Sequence, residues 1–133
     1  MFVVDTNVWL ELLLEQEKAG EVRRFLEETE ASQLAITDFS LHSIALILCR
    51  LGKDAVLLEF VRDTLTHGAI LLVRLDHADL EAVLTARRQF NLDFDDAYQY
   101  VAAMRDGSTL VSFDADFNRP ARRLMLPLAA LGV

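Results

Sequence analysis

The chain contains little proline, glycine or cysteine. Its 133 residues include two prolines, five glycines and one cysteine. A lone cysteine cannot form an internal disulfide, so Cys49 is expected to be a core residue in a reducing compartment. No apolar run approaches the ~20 residues of a membrane-spanning helix, and no N-terminal signal peptide is visible. These features predict a cytoplasmic protein.

Several catalytic motifs are also absent. There is no Gly-x-Ser-x-Gly, which argues against a serine hydrolase, and no glycine-rich phosphate loop, which argues against nucleotide-binding classes. The three histidines are scattered without the spacing of metal ligands. A hydrophobic content of 53% is high enough for a folded core, and the length predicts one domain over residues 1–133.

Positive charge is scarce as well. Thirteen basic residues against twenty-one acidic ones leave a net charge of −8, which disfavours non-specific binding to nucleic acid. Metal ions would neutralise some of the acids, and a local arginine patch can still bind phosphate. The alternative is that these arginines form an ordinary solvated surface. The arginines in question are Arg87, Arg88, Arg105, Arg119, Arg122 and Arg123.

Short apolar segments alternate with segments of helical periodicity along the whole chain. Strands are predicted at the N-terminus, at residues 34–36, 70–75 and 109–113, and a fifth at 124–126. Each is preceded or followed by a stretch whose apolar residues recur at helical spacing. This order is typical of an α/β fold, here a three-layer α/β/α sandwich with a central parallel sheet of four to five strands.

Acidic residues stand where these strands end. Asp5 closes the first strand, Asp114 closes the fourth with Asp116 two residues later, and Asp96 lies at the start of the helix between. The carboxyl ends of parallel strands share one sheet edge, so these acids are expected to meet there and hold Mg²⁺ or Mn²⁺. Taken singly, each acid could instead be a helix cap, the interpretation we keep for Asp38.

Three segments carry a family resemblance: VVDTNVWLELL, DFDDAYQYVAA and LVSFDADF. They resemble the signature blocks of PIN-domain ribonucleases, and in particular the VapC-type toxins of toxin–antitoxin pairs. The resemblance implies a metal-dependent endoribonuclease that acts on RNA, forms a homodimer and is inhibited by a cognate antitoxin.

The resemblance also assigns residues. It implies that Asp5, Asp96 and Asp114 are the acidic metal ligands and that Asp116 is a further catalytic acid. Supporting positions fall on Thr6, Asn7 and Ser112, and Asp95 is an additional acidic neighbour.

The sequence departs from the family pattern at one position. Family members usually carry a glutamate near the start of the helix after the second strand, and here that position is Ser43. A serine can orient a water molecule or a ligand but adds no negative charge. Three outcomes stay open: Asp38 or Asp95 compensates, the site holds one metal weakly, or the domain is an inactive binding module for protein or RNA.

Overall fold

A computed structural model describes residues 1–114 and 124–125 of the chain. Its strands are β1 (Phe2–Val4), β2 (Leu34–Thr37), β3 (Leu71–Val73), β4 (Thr109–Val111) and β5 (Leu124–Met125). Its α-helices are α1 (Thr6–Leu13), α2 (Ala19–Glu28), α3 (Asp38–Arg50), α4 (Asp54–Val61), α5 (Leu80–Phe90) and α6 (Phe94–Arg105). Short helical turns at Ala31–Gln33, Arg62–Thr66 and His77–Asp79 join some of these elements.

The five strands form one parallel sheet in the order β3-β2-β1-β4-β5. The first strand of the chain is therefore central, and it pairs with β4 so that Val4 lies beside Val111. Because all strands are parallel, they all end at the same edge of the sheet. The predicted α/β fold with a central parallel sheet is confirmed.

Side chains alternate between two buried faces of the sheet. Val4, Ile36 and Val111 face a core completed by side chains from α1, α2, α3 and α4. Val3 and Leu110 face the opposite layer, where α6 packs against them. The helix α5 then packs on α6 through a further small apolar cluster. Both faces are covered, as the three-layer prediction requires.

The helix ends agree with the sequence in most places. Asp76 and Asp79 form a capping box, which opens a short turn before α5. Gly52 and Gly107 follow α3 and α6 at φ +70° and +68°, a backbone conformation that glycine adopts without strain. Asp54 is the first residue inside α4, and Lys53 holds the cap position.

The prediction for Cys49 is wrong. Helix α3 buries Ser40, Ile44 and Leu48, a row of residues four positions apart on one face of the helix. Cys49 follows Leu48 by one residue, so it is rotated away from that face and its side chain is exposed.

Within the described part of the chain, no helix combines the length and apolarity needed to cross a bilayer.

Candidate metal centre

A pocket of about 330 Å³ opens at the edge of the sheet where β1 and β4 end. Because β1 and β4 are neighbours, the residues that follow them lie side by side, and the first turn of α6 reaches the same place. The pocket therefore collects acidic and polar side chains from both ends of the chain. It is lined by Asp5, Thr6, Asn7, Leu10, Phe39, Ser43, Ile47, Asp95, Asp96, Gln99 and Asp114.

Asp5 is the most enclosed of these acids, with 6% of its surface exposed. One carboxylate oxygen accepts hydrogen bonds from the backbone N–H of Thr6 (2.8 Å) and from Nε2 of Gln99 (2.9 Å). The other accepts the hydroxyl of Ser112 at 2.7 Å. Burial raises the pKa of Asp5, the three hydrogen bonds oppose that rise, and the charge of Asp114 adds to it.

Asp5 is also the N-cap of α1, since it accepts the N–H of Thr6. The carboxylate of Asp5 therefore caps α1 and lines the pocket at the same time. Its capping role does not argue against a role in the site. Asp95 and Asp96 are different, because α6 has its N-cap at Asp93 and both acids lie within the first helical turn. The interpretation of Asp95 or Asp96 as a mere cap is wrong.

Asp96 is half-buried among other carboxylates. Burial is the largest cause of its raised pKa, and the charges of Asp114, Asp95, Asp5 and Asp93 raise it further, to about 7. One carboxylate oxygen each of Asp93, Asp95 and Asp96 lie within 4.8 Å of one another. Negative charges this close repel one another, and a cation at this position would relieve the repulsion.

Polar side chains fix the turn that follows β4. The hydroxyl oxygen of Ser112 accepts the backbone N–H of Asp114 at 2.9 Å, and Asn7 accepts the backbone N–H of Phe113 at 3.2 Å. The amide of Asn7 also donates to Ser112 at 3.3 Å. Asn7 and Ser112 therefore connect the start of α1 to the segment that carries Asp114.

Gln99 is a residue of this site that the sequence prediction missed. Its side chain is almost fully buried, with 2% of its surface exposed. Nε2 donates to Asp5 and also to the hydroxyl of Ser40 at 2.6 Å, while Oε1 accepts the hydroxyl of Thr37. Thr37 accepts the backbone N–H of Ser40 as the N-cap of α3, so its own proton is available for Gln99. The amide is thereby oriented with its donor toward Asp5.

Ser40, which supports Gln99, also accepts the hydroxyl of Thr6 at 2.8 Å. The predicted supporting residue Thr6 therefore belongs to the same buried network, whereas its neighbour Asn7 supports Asp114. The signal for Gln99 in the sequence is its spacing, because it follows Asp96 by three residues and shares that face of α6.

The residues that were considered as replacements for the missing glutamate lie in different places. Ser43 lines the pocket, as the resemblance implies, and so does Asp95. Asp38 does not line it, because its carboxylate accepts the hydroxyl of Tyr98 at 2.7 Å and the N–H of Phe39. Asp38 is not the cap of α3 either, since Thr37 has that role. Asp116, like the arginines at 119, 122 and 123, lies outside the described residues.

Comparison with known protein families matches the chain to the model of the PIN domain over residues 2–123. The chain belongs to the PIN domain family. PIN domains are generally nucleases, and they typically use a divalent metal. No curated protein is similar enough in sequence to this PIN domain to count as a relative.

Several solved structures share this fold. A toxin–antitoxin complex from Klebsiella pneumoniae matches with a TM-score of 0.77 at 14% identity, over 96% of this chain and 98% of that one. FitAcB from Neisseria gonorrhoeae matches with 0.77 at 20% identity, over 96% and 99%. VapC20 from Mycobacterium tuberculosis, a toxin that cleaves the sarcin–ricin loop, matches with 0.77 at 15% identity, over 90% and 95%. At these identities the likeness establishes the fold.

The donor atoms around the pocket suit a hard divalent cation. Asp5, Asp96 and Asp114 supply carboxylate oxygens, and neither histidine nor cysteine is among the lining residues. Such oxygen-only sets favour Mg²⁺ or Mn²⁺ over Zn²⁺ or copper. Burial is the main cause of the raised pKa values of Asp5 and Asp96, and neighbouring carboxylates raise them further. A cation among these carboxylates would favour their charged forms.

Proposed function

We propose that this PIN domain is a metal-dependent endoribonuclease, the toxin of a type II toxin–antitoxin pair. The observation that carries the proposal is the meeting of Asp5, Asp96 and Asp114, from β1, α6 and the end of β4, in one pocket. Members of the family are generally nucleases, which supports the hydrolase class.

The proposal gives each residue a role. Asp5, Asp96 and Asp114 would hold Mg²⁺ or Mn²⁺, and Asp116 would assist them as a further catalytic acid. A metal bound there supplies two kinds of chemistry: it polarises a phosphate oxygen and lowers the pKa of a coordinated water. The supporting residues Thr6, Asn7, Ser43, Asp95 and Ser112 keep the ligands in place or complete the polar rim.

The reaction that follows is hydrolysis of a phosphodiester bond. A pocket carboxylate orients the attacking water and accepts its proton. Asp95 is suited to this because it lines the pocket and is exposed to solvent. The scissile bond then breaks at the 3′-oxygen, which takes up a proton, so the products carry a 5′-phosphate and a 3′-hydroxyl, as the family resemblance implies.

The biological setting is also part of the proposal. The resemblance implies a cognate antitoxin, a homodimer and a cytoplasmic location for this single domain of residues 1–133. Support for the antitoxin is that a similar fold occurs in a toxin–antitoxin complex. Co-expression with the product of the adjacent gene, followed by light scattering, tests the antitoxin complex and the homodimer. A monomer that captures no partner would contradict both.

The direct test is cleavage of RNA by the purified protein, freed of any co-purifying partner. Structured RNAs are incubated in Mg²⁺, in Mn²⁺ and in chelator, with Asp96→Asn as the matched variant because it removes one charge at nearly constant shape. We expect cleavage with either metal, no cleavage in chelator and none by the variant. Cleavage that persists in chelator would contradict the metal mechanism.

A second candidate function is favoured by one observation, the serine at position 43 in place of the usual glutamate. With one carboxylate fewer, the domain could serve as an inactive module that binds protein or RNA. Calorimetry with Mn²⁺ separates the two functions. Saturable Mn²⁺ binding that is lost in Asp96→Asn supports the enzyme, whereas no binding supports the inactive module.

A further inference from the structure

The carboxylate of Asp5 has little acceptor capacity left for a metal. An ionised carboxylate offers about two lone-pair positions on each oxygen. Oδ1 uses both, because it accepts the backbone N–H of Thr6 at 2.8 Å and Nε2 of Gln99 at 2.9 Å. Oδ2 uses one, for the hydroxyl of Ser112 at 2.7 Å. With these partners from the part of the chain that the structure describes, one position on Oδ2 is open to a metal.

The main chain of Asp5 is fixed as well. Its N–H donates to the carbonyl of Val111 at 2.9 Å, and its carbonyl accepts the N–H of Val8 at 3.1 Å. Only 6% of the surface of Asp5 is exposed. Turning the carboxylate so that both oxygens face one ion would break at least one of its three side-chain hydrogen bonds. In this arrangement a metal reaches Asp5 through Oδ2.

Gln99 is held in the orientation that occupies Oδ1. Its Oε1 accepts the hydroxyl of Thr37, and Nε2 donates its second proton to Ser40 at 2.6 Å. Thr37 and Ser40 are fully buried, and Gln99 is 2% exposed. Reversing the amide would place its oxygen against the carboxylate of Asp5, which only accepts hydrogen bonds, and would lose these partners. An N–H of Gln99 without an acceptor would be an unpaired buried donor, which is costly.

An occupied Oδ1 affects divalent cations to different extents. Mg²⁺ prefers an octahedron of ligands, and Mn²⁺ accepts the same geometry, so one oxygen from each carboxylate is sufficient for either ion. Ca²⁺ is larger and takes about six to eight oxygens, often both oxygens of one carboxylate. Binding of Ca²⁺ by both oxygens of Asp5 requires Gln99 to release Oδ1. The hydrogen bond from Gln99 therefore disfavours Ca²⁺ more than Mg²⁺ or Mn²⁺.

We propose that Gln99 is a specificity-determining residue that favours Mg²⁺ or Mn²⁺ over Ca²⁺, because it restricts Asp5 to one metal-binding oxygen. Thr37 is a positioning residue that acts through Gln99, since its hydroxyl fixes the amide. The inference rests on the proposed function, in which Asp5 is a metal ligand. It gives the buried amide a role in the choice of ion in addition to the strength of binding.

The test measures the ratio of two affinities in place of activity. Electron paramagnetic resonance follows free Mn²⁺ during titration of the purified protein, and Ca²⁺ is then added as a competitor that releases bound Mn²⁺. Gln99→Met removes the donor and frees a lone pair of Oδ1. Mn²⁺ binding should weaken about 10- to 100-fold. Ca²⁺ gains a ligand oxygen in the variant, so the preference for Mn²⁺ over Ca²⁺ should fall about 10-fold.

Ser112→Ala is the matched control. Ser112 also donates to Asp5, but at Oδ2, so its removal leaves Oδ1 occupied by Thr6 and Gln99. Both ions should bind more weakly to this variant, since an orienting donor is lost. The preference for Mn²⁺ should nevertheless stay within about two-fold of the wild-type value, because Asp5 can still offer only one oxygen.

Thr37→Val tests the positioning role with a side chain of nearly the same shape. The preference for Mn²⁺ should fall as in Gln99→Met, and Thr37→Ser should retain it. In the Gln99→Met background Thr37→Val should not change the preference further, because Thr37 acts through the amide. Loss of the N-cap of α3 alone would lower stability in both backgrounds and leave the preference unchanged.

Each failure has a distinct meaning. The inference is overturned if Gln99→Met keeps the wild-type preference, or if Ser112→Ala shifts it as much as Gln99→Met does. If Gln99→Met does not fold, Thr37→Val decides by the same measurement, and an unchanged preference overturns the inference. A wild-type protein that binds no Mn²⁺ would overturn both the inference and the metal mechanism. RNA cleavage is measured in parallel, and a shifted preference without cleavage by the wild type would support the inference and contradict the nuclease.

Discussion

Asp5 and Asp96 face the same pocket, but their surroundings differ. Asp5 is enclosed by hydrogen-bond donors from Thr6, Gln99 and Ser112. Asp96 lies among carboxylates, and four acidic neighbours raise its pKa beyond the effect of burial. The first acid is held in one orientation by the fold, whereas the second carries electrostatic repulsion that only protonation or a cation removes. The pocket therefore combines a rigid carboxylate with a destabilised one.

The largest expected effect comes from removing the charge of Asp5, the rigid carboxylate. Asp5→Asn should abolish Mn²⁺ binding and lower the cleavage rate about 1,000-fold or more. The introduced amide supplies no negative charge to hold the metal, and a bound metal stabilises the transition state by several kcal/mol. The fold should survive, since the introduced amide can accept from Gln99 and donate to Ser112. Cleavage assays and Mn²⁺ titration measure the effect, with exposed Asp106→Asn as control. Wild-type affinity in Asp5→Asn would show that Asp5 is no ligand.

The second prediction removes a donor of Asp5 and leaves its charge intact. Gln99→Met should weaken Mn²⁺ binding about 10- to 100-fold, the usual cost of losing a group that orients a metal ligand. Thr37 would also lose its acceptor, which should lower the free energy of unfolding by about 1–3 kcal/mol. Mn²⁺ titration of the folded fraction measures the first effect. Gln89→Met, at an exposed position of α5, is the control. Equal Mn²⁺ affinity in the two variants would mean that Gln99 has a purely structural role.

The third prediction concerns Asp96, the destabilised carboxylate. Between pH 3.8 and about 7 the folded protein binds a proton at Asp96 that the unfolded chain has released. The stability that this bound proton contributes is lost as the pH rises through that window. Above about pH 7 the folded protein bears the full free-energy cost of a charged Asp96. Asp96→Asn should therefore stabilise the metal-free protein at pH 8, by about 1 kcal/mol after allowing for solvent screening, and should change little at pH 4.

Thermal unfolding in chelator at pH 4 and pH 8 measures this difference, again with Asp106→Asn as the control. Addition of Mn²⁺ should reverse the order at pH 8, because the wild-type protein gains binding free energy and the variant does not. A variant less stable than the wild type at pH 8 in chelator would mean that Asp96 is not repelled by its neighbours.

The smallest effect is expected at position 43. Ser43→Glu adds a carboxylate to the pocket, so it should increase Mn²⁺ affinity a few-fold and lower the stability of the metal-free protein at pH 8. Ser43→Ala should leave both quantities nearly unchanged. If Ser43→Glu fails to change Mn²⁺ affinity, the serine does not mark a missing metal ligand, and the case for an inactive module loses its main support.

The meeting of the acids could be predicted from the sequence because it depends on topology alone. Apolar segments ending in Asp5 and Asp114 predicted parallel strands, and parallel strands end at a common edge. The pairing of β1 with β4 then brings the two residues together. No side-chain detail was needed for this step.

Gln99 could not be predicted in the same way. A glutamine in AYQYVAA resembles any polar residue of an amphipathic helix, and its burial depends on partners 62 residues away at Thr37 and 94 away at Asp5. Cys49 failed for a related reason, because an apolar run within a helix does not reveal which of its members face the core. Hydrophobic periodicity identifies an element, whereas burial of a single side chain is decided by tertiary packing.

The bond between Asp5 and Ser112 joins residues 107 positions apart in the chain. Ribosomes add about 5–20 residues per second, so the segment from Asp5 to Asp114 takes roughly 5–20 s to synthesise. During that time Asp5 exists without Ser112 and without the β4 strand that completes the pocket. A half-made chain therefore cannot assemble the acidic pocket, and any partner that binds the nascent protein has several seconds to do so before the pocket is complete.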